Sequence, residues 1–458
     1  MSFESQSTIS KFVRKFDNVK LTAVVDYYQL GWDTVTKFPP AAASMPEGMM
    51  GPGSPGTRYD YRAPAQDLSR ERLRFSLGAE ITRPTVIYDT VGITGYWQDT
   101  RSSVASGETT RVTSFKTIAG TVTNLDVYDR VRANTLKHET EIRGINSIAR
   151  KQIAGKSVSN TIQYGVETSF SDNTMSFNRF EDRFETDGTL RSSALQSPTF
   201  VMTPSSVYRA GVFASDKIEI GERKQYVITP SLRVDYYNVN PENTAEYISY
   251  THAKAASFVN TSVSPGLSAL YKITSDINVY GLYAMGTRNP TAGELNGIFN
   301  HSGSGMGSAD QIMIVPNPSL KEEVANNFEL GVQGNTERHA FRLAAFYNIY
   351  DNFIETDVPT GEIRDNYSIY TSTNLDNVTI YGIEASWHWS VDKKLVGGVD
   401  GFQFGVTFAW TNGRQDTEIG RQAVDSVDPW KIIAYIGYVD PADIWGVRLS
   451  GTFVAEKT

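Results

Sequence analysis

Metal ligation in this chain would fall mainly to its carboxylates and five histidines, His138, His252, His301, His339 and His388, because it contains no cysteine. Without thiols there is neither a disulfide framework nor a thiolate metal site. No His-Glu-x-x-His, Gly-x-Ser-x-Gly or paired-carboxylate motif sets these groups at a spacing that catalysis uses, so nothing points to an enzyme. Asp357, Glu362, Asp365 and Asp376 share one acidic stretch without the spacing of a calcium loop and read as a solvated face. His301 has the most suggestive neighbours, in Gly297-Ile298-Phe299-Asn300-His301-Ser302-Gly303-Ser304-Gly305-Met306. Taken alone, a histidine in such a polar, glycine-rich loop is solvated.

The elements that would position these residues are strands. From Phe402 to Trp410 the even positions Phe402, Phe404, Val406, Phe408 and Trp410 are large and apolar, and the odd positions Gln403, Gly405, Thr407 and Ala409 are small or polar. The same period of two runs through Phe341–Ile349 and Tyr381–Trp389, and recurs over Tyr226–Tyr236, Phe328–Gly334 and Val447–Phe453. Such segments are strands with two unlike faces, and the chain reads as all-β. Short turns at Gly221–Lys224, Thr274–Asp276, Asn335–Arg338 and Pro441–Asp443 alternate with long polar connections at about 171–206, 237–262, 287–325, 351–377 and 411–428. Short turns on one rim and long loops on the other are the pattern of a transmembrane antiparallel up-and-down β-barrel, with the short turns on the periplasmic side. The Gly/Pro/Met-rich stretch Pro46–Gly56 reads as another long loop.

Composition agrees with two-faced strands. Aromatics make up 12% of the 458 residues, with Tyr 24 and Phe 22, yet the mean hydropathy is −0.33. No run approaches the roughly 18 apolar residues of a transmembrane helix. With 43 basic and 51 acidic residues the net charge is −8, and no basic run is present, which argues against nucleic acid as a partner.

Specific residues carry a family resemblance. Tyr280-Gly281-Leu282-Tyr283-Ala284-Met285-Gly286-Thr287-Arg288-Asn289-Pro290-Thr291 is similar to a receptor strand ending in a Phe-Arg-Ala-Pro box. Pro316-Asn317-Pro318-Ser319-Leu320-Lys321-Glu322-Glu323 is similar to an Asn-Pro-Asn-Leu box with its Lys-Pro-Glu sequel. Phe328-Glu329-Leu330-Gly331, Tyr347–Ile354 and Ile380–Glu384 follow in order. The series resembles TonB-dependent outer-membrane receptors, especially the haem/haemoglobin and transferrin/lactoferrin branch, most clearly over about residues 225–453. The sequence departs from the boxes at Thr287, Asn289 and Ser319. It is also expected to lack the family's plug, the segment that engages TonB, and the terminal aromatic strand. Family barrels have 22 strands, so residues 1–458 are expected to be an incomplete receptor barrel, truncated at both ends.

The resemblance implies a function and a site. It implies a receptor in the bacterial outer membrane that takes up haem, or iron carried by a haem- or iron-binding protein, driven by TonB–ExbB–ExbD. Lipid and lipopolysaccharide would surround it, and haem would be cargo, with no intrinsic cofactor. A siderophore receptor of the same family is the alternative, and a passive pore or adhesin-like barrel the rival from another class. In haem receptors a histidine between the two boxes is an axial iron ligand, and His301 occupies the matching place. A neutral imidazole suits iron, the small flanking residues admit a flat macrocycle, and Phe299 and Met306 would pack on its face. A second ligand would come from the plug or from His252, in another long loop. Alternation puts His388 on the polar face beside Glu384 in a hydrogen-bonded role; His339 lies on the short-turn rim, and His138 carries no signal. Arg288, Pro290, Asn317, Pro318, Leu320, Glu322 and Glu323 form the loop-anchoring motif. Its arginine and carboxylates are suited to holding the long loop over the mouth, and secondarily to contacting a substrate anion.

Overall fold

A computed structural model describes residues 2–35, 42–45, 55–118, 121–196, 200–301, 312–365, 367–375, 377–398, 400–417, 420–423 and 427–456. Sixteen strands follow one another as an antiparallel meander. They are β1 (Ser2–Phe16), β2 (Val19–Val35), β3 (Gly56–Thr82), β4 (Thr90–Ile118), β5 (Thr121–Ile153), β6 (Val158–Phe184), β7 (Phe200–Ile220) and β8 (Tyr226–Pro241). They continue with β9 (Phe258–Lys272), β10 (Ile277–Arg288), β11 (Glu323–Asn335), β12 (His339–Asp351), β13 (Val378–Ser390), β14 (Phe402–Thr417), β15 (Lys431–Val439) and β16 (Gly446–Val454). Each strand pairs with the next, and among the described residues no pairing joins β1 to β16. No helix among them is long and apolar enough to cross a membrane.

Register carries the two-faced pattern through the wall. Residues directly opposite each other share a face. Phe12 opposes Ala23, Ala23 opposes Leu77, Leu77 opposes Gly95, and Gly95 opposes Ile145. Further on, Leu267, Tyr283, Phe328, Tyr347 and Tyr381 form one cross-strand row. Phe408 opposes Ile432, and Ile436 opposes Leu449. Residues of this face stand open, with Leu77 64%, Leu330 66% and Leu449 72% exposed. An apolar surface continuous over sixteen strands is far beyond what a water-facing monomer shows and marks contact with lipid.

Aromatic rows bound that surface. Near the short turns Tyr226 stacks on Tyr271 at 5.0 Å, Trp387 on Trp389 at 5.9 Å, and Phe402 meets Tyr438 at 5.1 Å. Nearer the long loops lie Tyr208–Tyr236, Tyr283–Phe328, Tyr347–Tyr381 and Tyr381–Trp410. Leu343, Ile383, Val406 and Phe408 fall between the rows. Two girdles of rings enclosing an aliphatic band are what the two lipid–water interfaces select. The opposite face is wet: Arg72 pairs with Asp26 at 2.8 Å, Arg342 with Glu329 at 2.7 Å, and Arg233 with Asp235 at 2.6 Å. Its glycines let rings lie flat across neighbouring strands. A Cβ on Gly405 would stand 2.1 Å from the Tyr435 ring, and one on Gly331 2.6 Å from that of Tyr280.

Strand lengths are unequal for a physical reason. β3 to β6 run 27, 29, 33 and 27 residues, whereas about 9–11 residues cross a bilayer. The excess projects from the long-loop rim as hairpins whose two faces are both wet. The expected connection at 171–206 is therefore mostly strand: β6 reaches Phe184, Leu190–Gln196 pairs back onto it, and β7 begins at Phe200. The other long connections hold short elements, α1 (Ala245–Thr251), α2 (Ala292–Asn296) and a second sheet. In that sheet Phe299–His301, Ile312–Ile314, Tyr367–Leu375 and Phe353–Arg364 lie side by side. The loop at Pro46–Gly56 lies almost wholly outside the described residues. Short turns close through local side chains, as where Thr274 Oγ1 accepts the Asp276 and Ile277 amides.

Candidate ligand-capture mouth

The box residues meet at the end of β10. Arg288 closes that strand and directs its guanidinium at three segments. It donates to Glu294 Oε1 of α2 at 2.8 Å, to Glu323 Oε2 at the start of β11 at 3.2 Å, and to the Ile354 carbonyl at 3.2 Å. Glu323 in turn accepts the Ile354 amide at 3.1 Å. A planar fork with five donors suits such a junction better than an ammonium. Glu294 also closes the N-terminus of α2: its Oε2 accepts the Thr291 amide at 2.8 Å while Thr291 Oγ1 accepts the Glu294 amide at 3.2 Å. This reciprocal box turns the chain into α2 directly after the buried Pro290, whose carbonyl accepts Tyr237 Oη at 3.3 Å.

The second box closes the same assembly from the other side. Asn317 donates to the Ser372 carbonyl at 2.9 Å and accepts the Ser319 amide at 2.9 Å. Asn374 accepts the Lys321 amide at 2.8 Å and donates to the carbonyls of Lys321 and Asn352 at 3.1 and 2.8 Å. Leu320 is buried with Leu295 and Ile354, and Phe258 packs against them. Glu322 does not reach Arg288; it accepts from Asn260, which also donates to Asn289 Oδ1 at 2.8 Å. Asn296, 1% exposed, accepts the Ala256 amide at 2.7 Å and donates to its carbonyl at 2.8 Å. These bonds latch the loops at 242–257, 289–322 and 352–377 to one another across the mouth. Asn260, Asn296 and Asn374 carry no signal in the sequence because their partners lie 22 to 62 residues away, and no spacing within a loop marks that.

The loop carrying His301 crosses towards distant strands. The Ile298 amide donates to the Val201 carbonyl at 2.8 Å, and Phe299 meets Phe177 edge-on at 5.9 Å. Phe299 is therefore packed against β6. His301 pairs through its backbone with Ile312; its side chain, and Met306 altogether, lie outside the described residues. The remaining histidines are separated. His339 stacks on Trp387 and Trp389 in the short-turn girdle and accepts from Trp387 Nε1 at 3.3 Å. His388, on the wet face, hydrogen-bonds Tyr435 through Nδ1. His138 contacts Thr140 Oγ1 at 3.3 Å.

His252 ends α1 in the left-handed region, with φ 55°. It lines a cavity of about 590 Å³ enclosed by α1, Ile312–Ile314 and the 353–375 hairpin, to which Pro318 also contributes. Burial pushes the Tyr247 hydroxyl up to about 12, so it stays a neutral phenol at physiological pH. Replacing Arg288 with Lys keeps the charge and loses the fork. The latch should weaken by about 1–2 kcal/mol, read as faster amide exchange at 289–298 and at Ile354 with unchanged strand content.

Residues 9–458 match the family model described as TonB dependent receptor-like, beta-barrel. The chain belongs to this family. Its members are receptors and transporters, and the fold is that of a transmembrane antiparallel β-barrel, here with an open seam between β1 and β16. A haemoglobin-haptoglobin utilization protein B of Neisseria meningitidis serogroup C is 22% identical over 52% of this chain and 31% of that protein. A second such protein, from N. meningitidis serogroup A, is 21% identical over 64% of this chain and 38% of that one. The chain thus spans about a third of the length of these relatives. Among solved structures, the FrpB iron transporter of N. meningitidis superposes with a TM-score of 0.52 at 11% identity, covering 98% of this chain and 66% of that one. The Serratia marcescens hemophore receptor HasR, in complex with HasA and heme, gives 0.52 at 10% identity, covering 99% and 73%. At such identities the structural likeness is one of fold.

Proposed function

We propose that this chain forms the membrane wall and outer loops of a bacterial outer-membrane receptor. The receptor captures haem, or iron carried by a haem- or iron-binding protein, and passes it through the lumen by TonB-dependent transport. The observation that carries this reading is the sequence relationship, over half of the chain or more, to proteins named for haemoglobin–haptoglobin utilization. The structure supplies what the function needs: a lipid-facing wall, a wet inner face and a latched set of outer loops. Capture there is non-covalent, and the protein's contribution is shape, apolar surface and a nitrogen ligand for iron.

His301 is the residue between the two boxes that this function assigns to iron. In an intact receptor, His301→Ala should lower haem affinity about tenfold, near 1.4 kcal/mol, and the visible spectrum should lose its six-coordinate form. His339→Ala, on the opposite rim, should leave both unchanged. Haem titrations followed at the Soret band provide the measurement, and identical titrations for His301→Ala and wild type would remove the role assigned to His301.

A further inference from the structure

The turn between β3 and β4 differs from its neighbours on the short-turn rim. Those at Gly221–Lys224 and Asn335–Arg338 carry charged tips suited to water, Glu222-Arg223-Lys224 and Glu337-Arg338. The β3–β4 turn carries Pro84-Thr85-Val86-Ile87-Tyr88 instead, with Val86 94% and Ile87 66% exposed. Its shape is fixed from within: Thr85 Oγ1 accepts the Tyr88 amide at 2.9 Å, and the Thr85 amide donates to the Tyr88 carbonyl at 2.7 Å. Two strands that the turn does not join hold it from one side. Lys151 of β5 donates to the Thr85 carbonyl at 2.6 Å and to Asp89 Oδ1 at 2.8 Å. Tyr164 of β6 donates to the Ile87 carbonyl at 3.0 Å.

Both holding residues stand on the lipid face. Lys151 follows Ile145, Ser147 and Ala149 along the outer side of β5, and Tyr164 opposes Ala149. The turn is therefore folded outward over the wall, and Ala149, on a face that is otherwise open, is only 6% exposed. Arg143 sets the height: it lies over the ring of Phe170, which opposes Tyr208 of the long-loop girdle. From Arg143 to Lys151 the strand has about nine residues, at the short end of the roughly 9–11 that cross a bilayer. Lys151 thus meets lipid at the far edge of the hydrocarbon, where a bare ammonium would draw in water or headgroups. Asp89 neutralises it, and Val86 and Ile87 project beyond the pair.

We propose that the Arg83–Asp89 turn is an anchor in the leaflet at the short-turn rim. Val86 and Ile87 lie among phospholipid acyl chains, and the Lys151–Asp89 pair behind them is sealed from the lipid. The inference rests on the lipid-facing wall described above. Acyl chains are the occupant because the tip continues that wall: Ile153 and Val158, at the ends of β5 and β6, are exposed on the same outer face.

A pair of quenchers tests this. The full chain carrying Val86→Cys or Ile87→Cys is labelled with the fluorophore NBD and placed in phospholipid nanodiscs, where both rims reach buffer. Strand content is checked by circular dichroism. Leu77→Cys on the open lipid face and Glu222→Cys on a charged turn of the same rim serve as references. Labels at 86 and 87 should lose most of their intensity to nitroxide-bearing lipid and little to aqueous iodide, as at 77, and the label at 222 should do the reverse. If 77 reports lipid while 86 and 87 report water, or are shielded from both quenchers by protein, the anchor is overturned and the lipid-facing wall stands. If 77 itself reports water, the wall fails and the anchor fails with it.

Discussion

Arginine at Val406 should lower the stability of the folded chain in lipid by roughly 2–4 kcal/mol, while arginine one residue later, at Thr407, should change it little. The two positions are neighbours in sequence and opposites in environment. Val406 opposes Ala434 and Trp387 on the lipid face, at the inner edge of the short-turn aromatic row. A guanidinium there must be desolvated or must drag water and headgroups inward. Thr407 opposes Ser386 on the wet face and is exposed, so an arginine there keeps its hydration. Urea titration of the two variants refolded into vesicles gives the comparison directly. Equal losses at the two positions would contradict a lipid-facing wall.

Leu320→Ala should cost about 2–5 kcal/mol at the mouth, the range for emptying a buried leucine site. Leu320 is 4% exposed and packs with Leu295 and Ile354, so its removal leaves a void where two loops meet the first residue of β9, Phe258. The loss should appear as local opening, because the cluster touches the wall only at that strand end. Protease cleavage within 289–322 and 352–377 should accelerate while the barrel resists. Ile363→Ala, on the exposed side of the outer hairpin, should change cleavage by less than the equivalent of about 0.5 kcal/mol.

The wall was legible in the sequence where one face meets lipid. Between Phe402 and Trp410, or Phe341 and Ile349, selection for an apolar outer face leaves a period of two that no turn residue interrupts. Where a strand leaves the membrane the constraint disappears. In Ser171-Asp172-Asn173-Thr174 both faces are wet, so a strand there has the composition of a loop, and β6 runs about a dozen residues beyond the start of the connection expected at 171. The turns at Gly221–Lys224 and Thr274–Asp276 were visible because their geometry is local. The latch was half visible. Arg288 and Glu323 stand in recognisable boxes, but the partner of Glu322 is Asn260, and Asn374 reaches back 53 residues to Lys321. Such pairings are set by the docking of loops, which leaves no periodic mark. The setting of His252 was hidden for the same reason: its cavity is assembled from three separate connections.

The chain contains no cysteine, so a single introduced cysteine can be spin-labelled without background. Labels placed one at a time at Gln403, Phe404 and Val406–Ala409 in β14, with the chain in lipid, can be tested for collision with oxygen and with a water-soluble nickel chelate. Oxygen access should peak at 404, 406 and 408, and nickel access at 403, 407 and 409, alternating with a period of two. Uniform access along the segment, or a period near 3.6, would contradict a membrane wall with a wet inner face.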